Sequence, residues 1–307
     1  MSAKGMGRGC FGDLVNMLQV ALQQPGFYTG AVDGDFGGGT ERAVQAFQAS
    51  LRQKQTGSVD ASTWQRATGL DWPSVFERCL QLTARIEGHG YQAVAGDFDG
   101  AGLTWGIIGF TLQHGEIQAL VREAMLRDPD LVRSAFGAST DELVGRLTGD
   151  DWNQLKDWAD SISVGPNGVG VAQPWRDGFR LLGASPLMKQ LQRDRARRQY
   201  FDPSQATACA LQLGGDLGAA LAFDIHVQNG GVKAADRKAF DTRMAQASDR
   251  SPLARRVLLA DLVAASANAR WRADVAARKQ AIATGLGEVH GMRLDLSAWG
   301  MDLVDPS

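Results

Sequence analysis

Three carboxylates lie close together in the segment ARIEGHGYQAVAGDFDGAGLTWGIIGF, which runs from residue 84 to residue 110. Glu87 ends an apolar helical pattern, and Asp97 and Asp99 follow in a glycine-rich turn. After Arg85 this segment holds no lysine or arginine that would neutralise them. One carboxylic acid and one carboxylate on adjacent elements are the groups that hydrolyse a glycosidic bond.

The segment SVFERCLQLTARIEG predicts a helix with Glu87 on its buried stripe. Phe76, Leu80 and Ala84 repeat every four residues and so share one helix face. A further step of three residues reaches Glu87 on that face. A carboxyl group withdrawn from water has a raised pKa, which a general acid needs near neutral pH. The alternative is a residue at the edge of the core whose carboxylate points into solvent.

The two aspartates could instead bind a metal ion or shape a turn. A calcium loop would need a closing glutamate about twelve residues from its start, but position 108 is Ile108, so we expect no metal. A plain turn in which an aspartate caps its own backbone remains as an alternative. The functional interpretation is that one of these two aspartates is the carboxylate that works with Glu87.

The elements that precede these carboxylates begin with a compact unit at residues 11–69. Apolar residues at helical spacing predict a first helix in CFGDLVNMLQVALQQ. Thr40 offers an N-cap for a second helix, and Asp60 offers one for a third that buries Trp64. Glycine and proline break the chain between the first two helices. The pattern predicts a small three-helix domain at residues 1–69.

This stretch resembles the peptidoglycan-binding domain of many cell-wall hydrolases. The matching elements are VNMLQVAL, GFYTGAVDGDFGGGTERAVQAFQ and GSVDASTWQRA, which occur in the family's order. The resemblance implies a wall-binding module whose partner is bacterial peptidoglycan. Within the matched elements we assign wall binding to Asp33, Phe36 and Gln48.

A second domain is predicted at residues 74–307, after a linker at 70–73. Ser74 and Glu77 form a capping box at its first helix. The rest is mainly helical, with one strand region at 98–112, and its apolar tail is expected to pack on the domain. The fold class is therefore mainly α, within the α+β type.

The second domain resembles the chitosanases of the lysozyme superfamily. RIEG followed by GDFDGAGLTWGIIGF is similar to their catalytic region, and RRQYFDP, AFDIHVQNGG and WRADVAARKQAIATG match later segments. The resemblance implies a lysozyme-like helical domain with a short β-hairpin or sheet at the active site, and an inverting reaction. It places Glu87 on the general acid, Asp99 on the general base and Thr104 on the residue that helps to hold the attacking water. We keep Asp97 as the reserve for the role of the base.

Four further residues are candidates for substrate binding. Trp105 and Trp175 could stack on sugar rings, with a place in the core as the alternative for each. Asp224 lies in an apolar helix, where we expect it to satisfy buried donors near the cleft. Asn229 follows it within the matched segment AFDIHVQNGG.

Composition limits the remaining functions. The chain has 307 residues and a formal net charge of -2. Because nucleic-acid-binding proteins usually carry an excess of positive charge, we expect no nucleic-acid partner. Three widely spaced cysteines fit neither a disulfide framework nor a zinc site. We expect a monomer that needs no cofactor. The first residues lack the apolar stretch of a signal peptide, so synthesis in a host cytoplasm would require a holin-type or other route to the cell wall.

Together these features predict a modular phage-type endolysin that cleaves the β-1,4 glycan strand of peptidoglycan. A muramidase, a glucosaminidase and a lytic transglycosylase stay open at this point. One alternative is a chitosanase-like or chitinase-like enzyme acting on another glucosamine polymer. Another is a non-catalytic wall-binding protein.

Overall fold

The computed structural model describes residues 5–88, 90–149 and 151–303. It is mostly helical with small antiparallel sheets, which confirms the predicted fold class. The helices in chain order are α1 Asp13–Gln23, α2 Gly38–Ser50, α3 Ala61–Thr68, α4 Val75–Glu87, α5 Glu116–Arg127, α6 Pro129–Phe136, α7 Thr140–Thr148, α8 Trp152–Ile162, α9 Trp175–Ala184, α10 Pro186–Ala196, α11 Asp202–Ala210, α12 Gly215–Asn229, α13 Ala234–Gln246, α14 Pro252–Ala265 and α15 Arg272–Thr284. In the described ranges no helix has the length and apolar character needed to cross a membrane.

Short antiparallel strands accompany the helices. They are β1 Val94–Ala95, β2 Thr104–Trp105, β3 Phe110–Thr111, β4 Ser163–Val164, β5 Gly170–Val171, β6 Leu286–Val289 and β7 Met292–Asp295. The first three form one sheet in the order β1-β2-β3, and the others form two hairpins. The predicted strand region at 98–112 is therefore wrong in detail, because residues 98–103 form a turn and the first strand lies before it.

The chain folds as two compact units. The first contains the described residues up to Ile86 and those from Gln199 onward, and the second contains Glu87–Arg198. The predicted domain boundary at residues 70–73 stays a prediction, since residues on both sides of it belong to the first unit.

Three helices open the first unit, as the apolar spacing predicts. Leu18 and Leu22 of α1 and Trp64 of α3 are almost fully buried. The Asp60 carboxylate accepts a hydrogen bond from the Thr63 N–H at 2.8 Å and caps α3. The predicted Thr40 N-cap is wrong, because α2 already begins at Gly38.

The segment before α1 contacts the segment that follows β7 within this unit. Met6 pairs through its backbone with Val59 on one side and with Trp299 on the other. The Gly7 N–H donates to the carbonyl oxygen of Ala298 at 2.8 Å. Met6 and Trp299 are 1% and 2% exposed. These contacts join the tail to the segment that precedes α1, and the packing of the tail on the predicted domain of residues 74–307 stays a prediction.

The helix α4 is buried on most of its surface. Its buried residues fall on several faces and are Phe76, Arg78, Cys79, Leu80, Gln81, Leu82, Thr83, Ala84 and Ile86. A capping box begins the helix, since Ser74 and Glu77 exchange hydrogen bonds between side chain and backbone, as predicted. Burial therefore extends beyond the face that Phe76, Leu80 and Ala84 share, because this helix lies inside the unit instead of on its surface.

The second unit packs its helices around the three-stranded sheet. Trp105 of β2 lies 5.1 Å from Phe179 of α9 between ring centroids, and Phe136 of α6 contacts the same ring at 5.2 Å. The buried side chain of Gln192 accepts a hydrogen bond from the Ile107 N–H at 2.9 Å and donates one to the Tyr91 carbonyl at 3.0 Å. These contacts fix the sheet and so determine the position of the turn between β1 and β2.

Candidate active site

Glu87 is the last residue of α4 and belongs to the second unit. It is half-buried, whereas the residue before it, Ile86, is 2% exposed. This half-buried position agrees with the carboxylate partly withdrawn from water that the helical spacing predicts. A carboxyl group at a helix end with one side open to solvent can reach a substrate atom and can exchange its proton with water.

The turn between β1 and β2 is held together by hydrogen bonds to the carboxylate of Asp97. Its Oδ1 accepts hydrogen bonds from the N–H groups of Gly100 at 2.7 Å and Gly102 at 3.2 Å. Both glycines have positive φ, 89° and 77°, which other L-residues rarely adopt. A side chain at Gly102 would also meet Leu112 at 3.0 Å. The sequence pattern D-x-D-G-x-G is thus a compact turn built around a buried acceptor.

The second oxygen of the Asp97 side chain forms an ion pair. Lys156 of α8 donates to Oδ2 at 2.7 Å, and the Asp97 side chain is 1% exposed. Burial alone would raise the pKa of this carboxyl. The interactions with Lys156, Asp160, Gly102 and Gly100 outweigh burial and lower the pKa below its usual value. Asp97 is therefore ionised and has both oxygens bonded, which fits a structural role and not that of a reserve base.

Asp99 differs from Asp97 in exposure and in its partners. Its carboxylate is exposed, and Oδ1 accepts a hydrogen bond from the Ala101 N–H at 3.1 Å. Within the described residues this is the one hydrogen bond to the Asp99 side chain, so Oδ2 is open to a water molecule. The assignment of the general base to Asp99 stays a prediction, and its geometry is compatible with that role.

Thr104 lies on the central strand of the sheet that follows the turn. It pairs with Ala95 on β1 and with Thr111 on β3. The residue is 9% exposed. Its predicted role in holding the attacking water stays a prediction.

The two tryptophans predicted to bind sugar are core residues. Trp105 is 0% exposed, and in the described part of the chain its Nε1 has no hydrogen-bond partner. Trp175 is 6% exposed and packs edge-on against Trp158 at 5.1 Å. The stacking prediction is wrong for both residues, because neither indole presents a free face to a ligand.

Asp224 lies in the first unit, within a buried ion network. Arg278 donates to its Oδ1 at 2.6 Å, and Lys279 donates to its Oδ2 at 2.5 Å. Burial would raise the pKa of Asp224, but the two cations outweigh burial and lower it to about 2. The prediction that Asp224 satisfies buried donors is confirmed, whereas direct substrate contact is wrong because the side chain is 0% exposed.

Asn229 ends the helix α12 that carries Asp224. The residue is half-buried, and among the described residues its buried Oδ1 has no hydrogen-bond donor. Its predicted contact with substrate stays a prediction.

Two buried glutamines organise the loops of the N-terminal helices. The Nε2 of Gln19 donates to the Asp33 carboxylate at 2.8 Å, and its Oε1 accepts from the Gly34 N–H at 2.9 Å. Gln48 likewise donates to the Ser58 carbonyl at 2.9 Å and accepts from the Gly57 N–H at 3.1 Å. Each side chain thus replaces the backbone partners that a short irregular loop lacks.

The three predicted wall-binding residues differ in their exposure to solvent. Asp33 is exposed, and hydrogen bonds from Asp35 and Gln19 lower its pKa. Phe36 is 1% exposed and Gln48 is 3% exposed. Direct glycan contact is therefore wrong for Phe36 and Gln48, which shape the fold, while for Asp33 it stays a prediction.

Sequence reasoning missed the side chains that hold the turn before β2. Lys156 lies in a helix 59 residues after Asp97, and Ser163 follows that helix. The irregular loop at 163–175, ending at Trp175, contains β4 and β5, and its Ser163 Oγ accepts a hydrogen bond from the Asp97 N–H at 2.8 Å. Lys156 and Asp160 form an i,i+4 pair that is visible in the sequence, but nothing in that pattern points to Asp97.

The site lacks the donor set of a metal centre. In the described part of the chain no group of three or more His, Cys, Asp or Glu side chains is arranged to hold a metal ion. Cys79 lies in α4, and burial raises the pKa of its thiol well above the usual range.

Several solved structures are similar to the chain at low sequence identity. The chitosanase of Gynuella sunshinyii of glycoside hydrolase family 46, solved with chitotetraose, is 17% identical over 69% of this chain and 87% of its own, with a TM-score of 0.48. The native chitosanase of Bacillus subtilis MY002 is 18% identical over 67% of this chain and 85% of its own, also with a TM-score of 0.48. None of the curated proteins compared with the chain matches it significantly.

A family comparison matches the N-terminal helices. The matched family is described as "Putative peptidoglycan binding domain", and the match covers residues 11–66. This range contains α1, α2 and most of α3, together with the loops held by Gln19 and Gln48. Residues 11–66 are therefore identified as a peptidoglycan-binding domain of this family, as the sequence pattern predicts.

Proposed function

We propose that the protein is a glycoside hydrolase that cleaves the β-1,4 glycan strand of bacterial peptidoglycan. Glu87 protonates the leaving oxygen, and Asp99 activates a water molecule that Thr104 helps to hold. The observation that carries the proposal is the exposed Asp99 carboxylate, presented by a rigid turn twelve residues after the half-buried Glu87.

The contacts of Asp97 support the choice of Asp99 as the base. A general base must accept a proton from water within hydrogen-bond reach. The Asp97 oxygens are bonded to Lys156, Gly100 and Gly102, and its side chain is 1% exposed. Asp99 keeps one oxygen available to water, so the two neighbouring aspartates have different functions.

The N-terminal domain supports the choice of substrate. Residues 11–66 match a peptidoglycan-binding family, and a wall-binding module raises the local concentration of the enzyme at its polymer. A phage-type endolysin, made in a host cytoplasm and carried to the wall by a holin-type or other route, combines these two functions. The alternative is hydrolysis of chitosan, which the segments RIEG and GDFDGAGLTWGIIGF favour.

Release of new reducing ends from purified peptidoglycan, chitin and chitosan tests the proposal. We expect release from peptidoglycan, with the α-anomer formed first, because an inverting reaction uses an activated water. Release from chitosan alone would favour the alternative enzyme. A protein that sediments with peptidoglycan but hydrolyses no polymer would be a wall-binding protein without this activity, and an anhydro-sugar product would indicate a transglycosylase.

A further inference from the structure

The turn that carries Asp99 is attached to the rest of the second unit through the side chain of Asp97. One carboxylate oxygen binds the N–H groups of Gly100 and Gly102, and the other binds Lys156 of α8 at 2.7 Å. The Asp97 carboxylate therefore connects the inside of the turn to a helix 59 residues further along the chain.

A backbone contact holds the start of the same turn. The Asp97 N–H donates to Ser163 Oγ at 2.8 Å, and Ser163 Oγ donates to the Ala159 carbonyl at 2.7 Å. The Gly96 N–H donates to the Val169 carbonyl at 3.0 Å. The segments around α8, β4 and β5 thus support the turn on one side.

Asp99 itself has no comparable attachment among the described residues. Its side chain is exposed and bonds to the Ala101 N–H, which belongs to the same turn. The direction of the Asp99 carboxylate therefore depends on the shape of this turn. The shape of the turn depends on the contacts that hold Asp97. A displacement of about 1 Å at a reacting group can cost roughly a hundredfold in rate.

Lys156 is suited to hold Asp97 firmly. It also contacts Asp160, one helical turn further on, at 2.9 Å. Its hydrogen bonds with Asp97 and Asp160 raise the pKa of the ammonium group well above the usual range. Because the Asp97 side chain is 1% exposed, a neutral residue at position 156 would leave a buried charge without its partner.

We propose that Lys156 is a positioning residue for catalysis, which acts through Asp97 to fix the turn that presents Asp99. The proposal rests on the proposed function, because it assigns the reacting carboxylate to Asp99. It requires the Lys156–Asp97 contact and not the exposed Lys156–Asp160 contact. A variant that keeps a cation at position 156 should therefore retain most of the rate.

The test compares hydrolysis of soluble peptidoglycan fragments by the full-length native protein and by variants. We expect Lys156→Met to lower kcat about 10-fold to 100-fold with KM changed by less than about 3-fold, since positioning affects the transition state more than binding. Lys156→Arg should recover kcat to within about 5-fold of the native value. The matched control Asp157→Asn, which changes an exposed aspartate of the same helix, should stay within about 2-fold. A native kcat in Lys156→Met, or an effect on KM alone, would overturn the proposal.

Two additions keep the test decisive. If Lys156→Met does not fold, the double variant Lys156→Met/Asp97→Asn removes the unpaired charge. We expect the kcat of this double variant to be at least about 10-fold below the native value. A native kcat in the double variant would overturn the proposal. Amide hydrogen exchange of residues 97–102 does not depend on activity. We expect faster exchange in Lys156→Met than in the control Asp157→Asn, and equal exchange would overturn the proposal. An inactive native protein would instead contradict the proposed function.

Discussion

Replacement of Asp224 by asparagine should destabilise the protein, because it removes the carboxylate that two buried cations share. Arg278 and Lys279 are 1% and 0% exposed, so both cations would be left buried without the carboxylate that neutralises them. The lowering of the Asp224 pKa from 3.8 to about 2 corresponds to roughly 2–3 kcal/mol, since one pKa unit is about 1.4 kcal/mol. Removal of one partner from a buried pair typically costs about 3–5 kcal/mol. We therefore expect the melting temperature to fall by roughly 5–15 °C.

The pH dependence gives this prediction a definite sign. The folded pKa of Asp224 lies below the unfolded value, so its ionised form stabilises the protein above about pH 4 and loses this effect as the pH falls towards 2. The difference in melting temperature between native protein and Asp224→Asn should therefore shrink on acidification. Calorimetry between pH 7 and pH 3 measures it. The control Asp130→Asn alters an exposed ion pair and should shift the melting temperature by less than about 2 °C. Equal shifts in the two variants at pH 7 would refute the reasoning.

Four further variants test the base and its water, the loop at Asp33, and the packing of the tail. Release of reducing ends from peptidoglycan measures the hydrolysis rate of the first two. Asp99→Asn should be nearly inactive, and Thr104→Ala should have a lower but measurable rate. A native rate for Asp99→Asn would refute the role of Asp99 as the base. Gln19→Ala should lower the free energy of unfolding by about 1–3 kcal/mol, because the loop at Asp33 loses its buried partner. The same variant should sediment less with peptidoglycan. Unchanged sedimentation would show that this loop does not contribute to wall binding. Trp299→Ala should cost about 3–5 kcal/mol by urea unfolding, and a smaller cost than about 1 kcal/mol would contradict the packing of the tail.

Local signals in the sequence predict the helical elements well. The Asp60 cap, the capping box of Ser74 and Glu77 and the buried Trp64 are all present in the structure. Each depends on residues within a few positions of one another, so that spacing and side-chain chemistry determine it. The predicted cap at Thr40 failed because Gly37 is the N-cap of α2 and provides no side-chain hydrogen bond, so no capping side chain marks the start of this helix.

Burial around the candidate site was harder to predict. A tryptophan in an apolar strand can face a ligand or the core, and the sequence does not distinguish these orientations for Trp105. The contact of Asp97 with Lys156 joins residues 59 positions apart and depends on tertiary packing. The role of Gln19 in holding the loop at Asp33 is equally remote from any local pattern. What the sequence does predict is the position of Glu87 at a helix end and of Asp99 in a turn.

The rate of Glu87→Gln on purified peptidoglycan tests the central claim most directly. Glutamine keeps the size of the side chain and its capacity for hydrogen bonds, but it has no proton to transfer. We predict that the variant melts near the native temperature, sediments with peptidoglycan as the native protein does, and releases reducing ends at least ~10²-fold more slowly. A folded, wall-binding Glu87→Gln protein with a near-native rate would contradict acid–base hydrolysis at this site.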